Sequence, residues 1–342
     1  MAPIRVMIVD DSPFFKGTLK SAIGREPQME VAGLASNGLE ALELVPTVQP
    51  DVIICDVQMP KMSGIEFLKA LLPRYKIPVV VISGTPGVTL SALQNGAVDF
   101  IAKPSAGETS TDFLKRVVQT IKIAASANVG AKMAFHKSKA HTVAMLTRAP
   151  TDVVVAIGAS TGGTDAILAV VRDLPAGFPP VLMTQHMPEG FTAMYAERLN
   201  RECKMRVQEA RDGMRVEKGL MILAAGAHQM RLHRDAKGYY VSSKKGMKVN
   251  GHIPSVEVLF ESVAEVAGAK AVGIILTGMG GDGAEGLLTM RKAGAYTIGQ
   301  DKETSVVYGM PMMAYNKGAV MTQLPLDEIT GHLINHLNKM KN

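Results

Sequence analysis

The sequence predicts an α/β protein with two doubly wound parallel sheets. Short apolar runs alternate with amphipathic helical segments in residues 1–124 and again in residues 150–342, whereas this alternation fades in residues 125–149. A chain of 342 residues is also too long for one ordinary domain. We therefore expect an N-terminal domain over residues 1–124, a linker over residues 125–149 and a C-terminal domain over residues 150–342.

The first domain contains clear strand signals at residues 4–9, 52–55, 79–82 and 100–102. Helix signals lie between them. Ser12 followed by Pro13 is a favourable helix start, because a hydroxyl caps the first turn and proline suits the position after the cap. A helical segment at residues 113–123 closes the domain.

The second domain repeats the pattern from residue 152 onward. Its strand signals lie at residues 153–157, 181–184, 220–224, 272–276 and 296–299, and residues 239–241 predict a hairpin or an edge strand.

Charge and composition argue against membrane insertion and nucleic-acid binding. No apolar stretch approaches the roughly 18–20 residues that a membrane span needs, and the N-terminus lacks the layout of a signal peptide. The net charge is +6, but the excess lies in residues 125–149, which hold four basic side chains and no acidic one. That segment is typical of a tether; alternatively, its apolar side chains dock between the domains. Because Cys55 and Cys203 are the only cysteines, we expect no disulfide and a cytoplasmic location.

Ser160, His186 and Asp282 each lie just past the end of a predicted buried strand. In an open parallel sheet, ligands bind in the crevice beyond the carboxyl ends of the strands. A hydroxyl, an imidazole and a carboxylate delivered to one crevice are what a serine hydrolase requires. The order serine, histidine, aspartate along the chain differs from that of α/β-hydrolases, chymotrypsin-like and subtilisin-like enzymes.

Residues 158–163, Gly-Ala-Ser-Thr-Gly-Gly, allow three interpretations. A dinucleotide fingerprint would need glycine where Ser160 stands, because the backbone approaches the pyrophosphate there. A nucleophile turn of the form G-x-S-x-G fits Gly158, Ser160 and Gly162. Ser160 as a simple helix cap is the third interpretation.

Two further alternatives concern the proposed partners of Ser160. His228 also follows a strand signal and is the second candidate for the base. Asp282 lies in Thr-Gly-Met-Gly-Gly-Asp-Gly at residues 277–283, where glycines permit a sharply folded loop that exposes backbone N–H groups. The alternative is an ordinary glycine turn with Asp282 at a turn position.

The first domain contains its own candidate site, which is a cluster of acidic residues. Asp10 and Asp11 follow the first strand, and Asp56 follows the strand at residues 52–55. If these strands are neighbours, three carboxylates share one pocket, which is costly unless a cation joins them. Oxygen ligands of this kind suit Mg²⁺. Ser83 and Lys103 end the next two strands and face the same pocket; the alternative is that Asp10 and Asp11 only cap a helix.

Residues 4–123 closely resemble the response-regulator receiver family. The resemblance rests on Asp10-Asp11, Asp56 before Met59-Pro60 and Gly64, Ser83, and Lys103-Pro104. It implies a flavodoxin-like domain in which Asp56 accepts a phosphoryl group from a histidine kinase. The implied Mg²⁺ ligands are Asp10, Asp11 and Asp56. The implied switch residues are Ser83, Phe100 and Lys103.

Almost the whole chain resembles the protein-glutamate methylesterase (CheB) family of chemotaxis, through the motifs at residues 158–163, 185–188 and 277–283. The resemblance implies a Rossmann-like catalytic domain that hydrolyses glutamyl γ-methyl esters on chemoreceptors, releases methanol and deamidates receptor glutamines. Ser160 would attack the ester, and His186 would carry the proton while Asp282 holds its ring. Backbone N–H groups of Met279 and Thr161 would bind the oxyanion. The receiver would restrict entry to the crevice until Asp56 is phosphorylated.

The expected partners are therefore chemoreceptors and a chemotaxis histidine kinase, with no nucleic acid and no membrane insertion. We expect a monomer that needs no cofactor for ester hydrolysis. Two other classes of function stay open at this stage. Residues 158–163 could grip a phosphate at a helix N-terminus in a non-enzymatic binding module. The second domain could be a DNA-binding output domain, although its nearly balanced charge counts against that.

Overall fold

A computed structural model describes residues 2–104, 108–135, 146 and 152–340, without the side chains of residues 133–135. The chain divides into two compact units, Met1–Met133 and Ala134–Asn342. Most of the segment predicted as a linker lies outside the described residues; Val129–Phe135 within it is helical. Among the described helices, none combines the length and the apolar character that crossing a membrane requires.

The first unit is a doubly wound sheet of five parallel strands. The strands are β1 (Ile4–Val9), β2 (Met29–Ala35), β3 (Val52–Asp56), β4 (Val79–Ser83) and β5 (Asp99–Ala102). The helices are α1 (Pro13–Gly24), α2 (Gly38–Val48), α3 (Gly64–Leu71), α4 (Pro86–Gln94) and α5 (Ser110–Ala125). A further helix, α6 (Val129–Phe135), includes the boundary between the two units. The strand order is β2-β1-β3-β4-β5. Because β1 and β3 are neighbours, the side chains that follow them share one edge of the sheet.

Side-chain caps fix where the chain turns from strand to helix in this unit. The Ser12 hydroxyl accepts a hydrogen bond from the N–H of Phe15 at 3.3 Å, which begins α1 as predicted. Ser63 begins α3 with a reciprocal capping box, in which its own N–H donates to the Glu66 carboxylate at 2.9 Å. These caps hold the first turns of the helices, and so they define the loops that surround the acidic cluster.

The second unit contains a seven-stranded parallel sheet and a small antiparallel sheet. The strands are β6 (Val154–Ala159), β7 (Val181–Gln185), β8 (Arg206–Glu209), β9 (Met214–Arg215), β10 (Leu220–Leu223), β11 (His228–Asp235), β12 (Gly238–Lys245), β13 (Ala271–Ile275), β14 (Tyr296–Gln300) and β15 (Thr322–Leu324). The helices are α7 (Gly163–Val171), α8 (Phe191–Glu202), α9 (Val256–Ala267), α10 (Ala284–Lys292), α11 (Met310–Asn316) and α12 (Leu326–Lys339). The parallel order is β15-β14-β13-β6-β7-β10-β8, and the antiparallel order is β11-β12-β9.

The strand order places a topological switch point at the middle of the large sheet. β6 pairs with β7 on one side and with β13 on the other. The chain winds outward from β6 in both directions, so the connections after β6 and β13 leave toward opposite faces and open a crevice between them. The predicted fold class, two doubly wound parallel α/β domains, is confirmed.

Helix α9 forms much of the core that supports this crevice. Val256, Leu259, Phe260 and Val263 are fully buried along its apolar face. Burial of each such side chain contributes about 1.5–3 kcal/mol. A Cβ on Gly158 would lie 2.1 Å from the Val256 side chain, so glycine lets the first turn of α9 lie directly against β6.

Some elements give no apolar run in the sequence. β8 and β15 are edge strands of the large sheet, and most of their residues are only partly buried. β12 pairs with β11 in an antiparallel hairpin, one of the two alternatives predicted for residues 239–241. Both cysteines are free thiols, as expected.

Candidate active site and acidic pocket

His186 and Asp282 meet at the carboxyl end of the large sheet. His186 directly follows β7, and Asp282 lies in the glycine-rich loop between β13 and α10. The His186 Nε2 atom and the Asp282 Oδ2 atom are 2.8 Å apart. The two side chains are 9% and 1% exposed. Burial away from competing water makes this charge-assisted pair strong.

Asp282 is held by several donors from one segment of the chain. The Asn250 side-chain amide donates to Oδ1 at 3.0 Å, and the Ser255 hydroxyl donates to the same oxygen at 2.7 Å. The N–H of Val256, in the first turn of α9, donates to Oδ2 at 2.7 Å. Burial opposes ionisation of Asp282, but its hydrogen bonds and the charge of His186 outweigh burial and lower its pKa to about 2. The carboxylate is therefore ionised at neutral pH.

The bond to Asp282 determines which nitrogen of His186 is free. An ionised carboxylate can only accept, so Nε2 carries the hydrogen in the neutral ring and Nδ1 keeps its lone pair. Among the residues that the structure describes, no atom hydrogen-bonds to Nδ1, which is buried. The chymotrypsin triad uses the two nitrogens in the opposite way, with Nδ1 on the aspartate. His186 therefore presents Nδ1 as its basic nitrogen.

Ser160 directly follows the adjacent strand β6. The N–H of His186 donates to the carbonyl of Ala159 at 3.2 Å, which links the ends of β6 and β7. The Gln185 side chain donates to the carbonyl of Ser160 at 2.9 Å. Within the described part of the chain, the structure shows no hydrogen bond between the Ser160 hydroxyl and His186. The structure brings the three predicted residues to neighbouring strand ends and joins two of them by a side-chain bond.

The turn after Ser160 requires glycine. Gly162 has φ 78°, a left-handed conformation that favours glycine, and a Cβ there would lie 2.6 Å from Val306. The N–H of Gly163, at the start of α7, donates back to the carbonyl of Ser160 at 2.7 Å. Strand, tight turn and helix follow one another here as in a nucleophile turn.

The peptide groups beside Ser160 orient two backbone N–H groups. The Gly278 carbonyl accepts bonds from the N–H groups of Gly309 and Met310, at 3.1 and 2.7 Å. Because a peptide is planar and trans, the N–H of Met279 points the opposite way, away from the start of α11. The Ser160 carbonyl accepts from the Gln185 side chain and from the N–H of Gly163, so the N–H of Thr161 points away from these two donors.

Two residues near the His186–Asp282 pair were missed in the sequence analysis. The His252 ring stacks on the His186 ring, with centroids 3.7 Å apart and planes 8° from parallel. Glu257 is buried on the first turn of α9, where its carboxylate accepts from the N–H of Gly283 at 2.9 Å. Burial raises the pKa of Glu257 to about 7, and the nearby Asp282 charge adds to that effect.

The alternative base, His228, has a different environment. Its Nδ1 atom lies 2.9 Å from the carbonyl of Gly226, two residues earlier in the chain. This local bond matches a histidine at a strand start.

The acidic cluster of the first unit forms at the edge shared by β1 and β3. Ligand oxygens of Asp10, Asp11 and Asp56 lie within 4.8 Å of one another. Burial raises the pKa of Asp10, and the charges of Asp56 and Asp11 add to this, although the N–H of Ser12 and the charge of Lys103 act in the other direction. The Oδ2 atom of Asp10 is buried and has no hydrogen-bond partner among the described residues. A divalent cation suits this donor set, because it would satisfy that oxygen and offset the repulsion.

The Lys103 side chain pairs with Asp56, whereas the hydroxyl of Ser83 accepts from the N–H of Thr85 at 3.1 Å. The Lys103 ammonium lies 2.5 Å from Asp56 Oδ2, and the other oxygen of Asp56 accepts from the N–H of Gln58 at 3.0 Å. Ser83 ends the neighbouring strand β4 and is buried. Phe100, on β5, is partly buried. The Asp56 carboxylate thus contacts Lys103 and lies beside Asp10 and Asp11.

The fold and the two sites define a class of protein, a response regulator that carries an enzyme domain. The family model described as CheB methylesterase matches residues 155–333, and the model described as response regulator receiver domain matches residues 6–115. The chain belongs to the CheB methylesterase family, which confirms the predicted family.

Relatives align over nearly the full length of the chain. A protein of Syntrophomonas wolfei named protein-glutamate methylesterase/protein-glutamine glutaminase 2 is 47% identical and covers 98% of each chain. A protein of the same name from Saccharophagus degradans is 43% identical, over 99% of this chain and all of its own. The CheB methylesterase catalytic domain of Thermotoga maritima, a crystal structure, is 35% identical with a TM-score of 0.53, and the match covers 55% of this chain and 100% of that chain.

Proposed function

We propose that the second unit hydrolyses γ-methyl esters of glutamyl residues on chemoreceptors and deamidates receptor glutamines. Ser160 is the nucleophile, His186 the general base and acid, and Asp282 the residue that orients the histidine. The observation that carries the proposal is the buried 2.8 Å bond between His186 and Asp282, at strand ends next to Ser160. The names of the relatives supply the substrate class.

The acylation step uses Nδ1 of His186. The Ser160 hydroxyl rotates to hydrogen-bond to Nδ1 and transfers its proton to that nitrogen. The Ser160 oxygen forms a bond to the γ-carbonyl carbon of the substrate. The imidazolium that results is stabilised by the Asp282 carboxylate on Nε2. The carbonyl oxygen gains negative charge, and the N–H groups of Met279 and Thr161 bind it.

The second half of the reaction returns the enzyme to its starting state. The imidazolium protonates the departing methoxide, so methanol leaves and the glutamyl group stays on Ser160 as an ester. Water then loses a proton to His186 and attacks that ester, which releases a free glutamate carboxylate and restores the hydroxyl. With a glutamine substrate the leaving group is ammonia, and the remaining steps are identical.

The first unit regulates this activity through phosphorylation of Asp56 by a chemotaxis histidine kinase. Asp10, Asp11 and Asp56 would hold Mg²⁺, and the ion would offset the charge of the phosphoryl group. Lys103 pairs with the phosphoryl oxygens, Ser83 donates a hydrogen bond to one of them, and Phe100 changes rotamer in response. A tenfold stimulation needs only about 1.4 kcal/mol of coupling between the two units.

The test is methanol release from methylated chemoreceptor, with and without a small phosphodonor and Mg²⁺. We expect release by the wild-type protein, abolition by Ser160→Ala, and stimulation by phosphodonor that Asp56→Ala lacks while it keeps basal release. Undiminished release by Ser160→Ala refutes the nucleophile, and equal stimulation of Asp56→Ala refutes the regulatory site. Absence of release from the folded wild-type protein favours the non-enzymatic binding module instead.

A further inference from the structure

The contact between His252 and His186 is not explained by the reaction steps above. The two rings lie 3.7 Å apart and are parallel within 8°. This separation is that of direct face-to-face contact, so His252 covers one face of the ring that moves the proton. An imidazole bonded to Asp282 through one nitrogen could still pivot about that bond, and a stacked ring prevents the pivot.

The backbone around His252 is built as a rigid turn. Val249 and His252 exchange two backbone hydrogen bonds, at 3.0 and 2.9 Å. Asn250 and Gly251 between them have φ values of 52° and 84°. Two consecutive left-handed residues, Asn then Gly, are typical of a type I′ turn. The His252 carbonyl also accepts from the Gln229 side chain at 3.3 Å.

The same turn holds both groups that touch His186. Asn250 donates to Asp282, and two residues later His252 stacks on His186. The orienting carboxylate and the stacked ring are therefore fixed relative to each other by one short piece of backbone. Rotation of the His186 ring out of its plane would break its stacking contact with His252.

The charge state of His252 suits a ring that only supports its neighbour. Burial lowers the pKa of His252 to about 4, and the charges of His186 and Lys248 add to this, although Asp282 acts in the other direction. His252 is consequently neutral at neutral pH. A neutral ring does not repel the imidazolium that forms on His186, and it leaves the proton on His186.

We propose that His252 is a positioning residue for this hydrolase: its ring stacks on His186 and fixes the ring plane in which one nitrogen meets Asp282 and the other faces Ser160. The proposal rests on the proposed function, since it assigns His186 as the proton carrier. It requires a flat ring at position 252 and makes no use of the nitrogens of His252.

The test compares His252→Ala with His252→Phe in the full-length protein, with methanol release from methylated chemoreceptor as the assay. We expect His252→Ala to lower kcat about 10- to 100-fold, because a small misplacement of a reacting group has effects of that size, while KM changes less than threefold. His252→Phe keeps a flat ring and should restore kcat to within about threefold of wild type. His233→Ala is the matched control, because His233 stacks on Tyr240 in the small sheet; its kcat should be unchanged.

Each outcome decides the proposal separately from the proposed function. If His252→Phe is as slow as His252→Ala while both stay folded by circular dichroism, the nitrogens of His252 matter and the positioning role is wrong. If His252→Ala equals wild type, stacking contributes nothing and the proposal is wrong. If His252→Ala does not fold, the kcat of His252→Phe alone decides. Failure of the wild-type protein to release methanol, in contrast, refutes the proposed function itself.

Discussion

Replacement of Asp282 by asparagine tests the roles that we propose for the buried carboxylate in stability and in catalysis. Asp282 accepts from His186, Asn250, Ser255 and the first turn of α9. Asparagine has one oxygen and one NH₂ group, so its NH₂ group must face donors on one side. These donors are either His186 and the N–H of Val256, or the side chains of Asn250 and Ser255. If the NH₂ group faces His186, the ring must accept at Nε2 and carry its hydrogen on Nδ1. Nδ1 then cannot take the proton of Ser160.

The size of both effects follows from the site. A pKa near 2 in place of 3.8 corresponds to about 2.5 kcal/mol of stability at pH 7. Because the folded-state pKa of Asp282 is lowered, this contribution is complete above about pH 4 and is lost as the pH falls toward 2. For activity, the loss of an orienting carboxylate and of the correct tautomer costs about 10⁴-fold in kcat in the chymotrypsin case, and we expect 10³- to 10⁴-fold here.

The measurements are urea unfolding at pH 7 and methanol release with methylated chemoreceptor. Asp282→Asn should lose about 2.5 kcal/mol in unfolding free energy and retain a folded circular dichroism spectrum. Asp173→Asn is the matched control, because Asp173 pairs at the surface with Lys204 at 3.8 Å. A folded Asp282→Asn protein with kcat within tenfold of wild type would refute the assignment of Asp282.

Two further predictions concern neighbours of the proposed catalytic residues. Burial raises the pKa of Glu257 from 4.5 to about 7, so the ionised form of this side chain destabilises the fold increasingly as the pH rises through that interval. In urea unfolding, Glu257→Gln should therefore be more stable than wild type by about 1–2 kcal/mol at pH 8 but not at pH 4. The control is Glu265→Gln, at an exposed position, and equal stability of Glu257→Gln and wild type at pH 8 would contradict the raised pKa. A Cβ on Gly278 would lie 2.6 Å from the Cβ of Ser160, so Gly278→Ala should lower kcat about 10- to 100-fold. The control is Gly331→Ala, whose added Cβ meets nothing within 4 Å and should leave kcat unchanged. A wild-type kcat for Gly278→Ala would show that the loop does not position the serine.

The sequence predicts those parts of the site that follow buried strands. Ser160, His186 and Asp282 come directly after apolar runs or the loops that follow them, and parallel strands carry such residues to one edge. Asp10, Asp11 and Asp56 gather for the same reason. Their chemical roles in the reaction stay a prediction until the variants are assayed.

The parts that sequence analysis missed depend on contacts between distant segments. Asn250-Gly251 is a strong signal for a tight turn, but nothing local indicates that the next residue, His252, stacks on His186. Glu257 has the spacing of an exposed helix residue, and only the packing of α9 against the glycine loop buries it. Edge strands β8 and β15 lack apolar runs because their outer sides are open.

The first turn of α9 holds the Asp282 carboxylate in a fixed position within the proposed active site. Asp282 is tied to the same helix whose apolar face fills the domain interior, so the carboxylate cannot be re-aimed without loosening that interior. The coupling of about 1.4 kcal/mol that a tenfold stimulation needs is smaller than the roughly 1.5–3 kcal/mol that one of those buried side chains contributes. We therefore expect the regulatory signal to act on access of the substrate to Ser160 and to leave the His186–Asp282 pair unchanged.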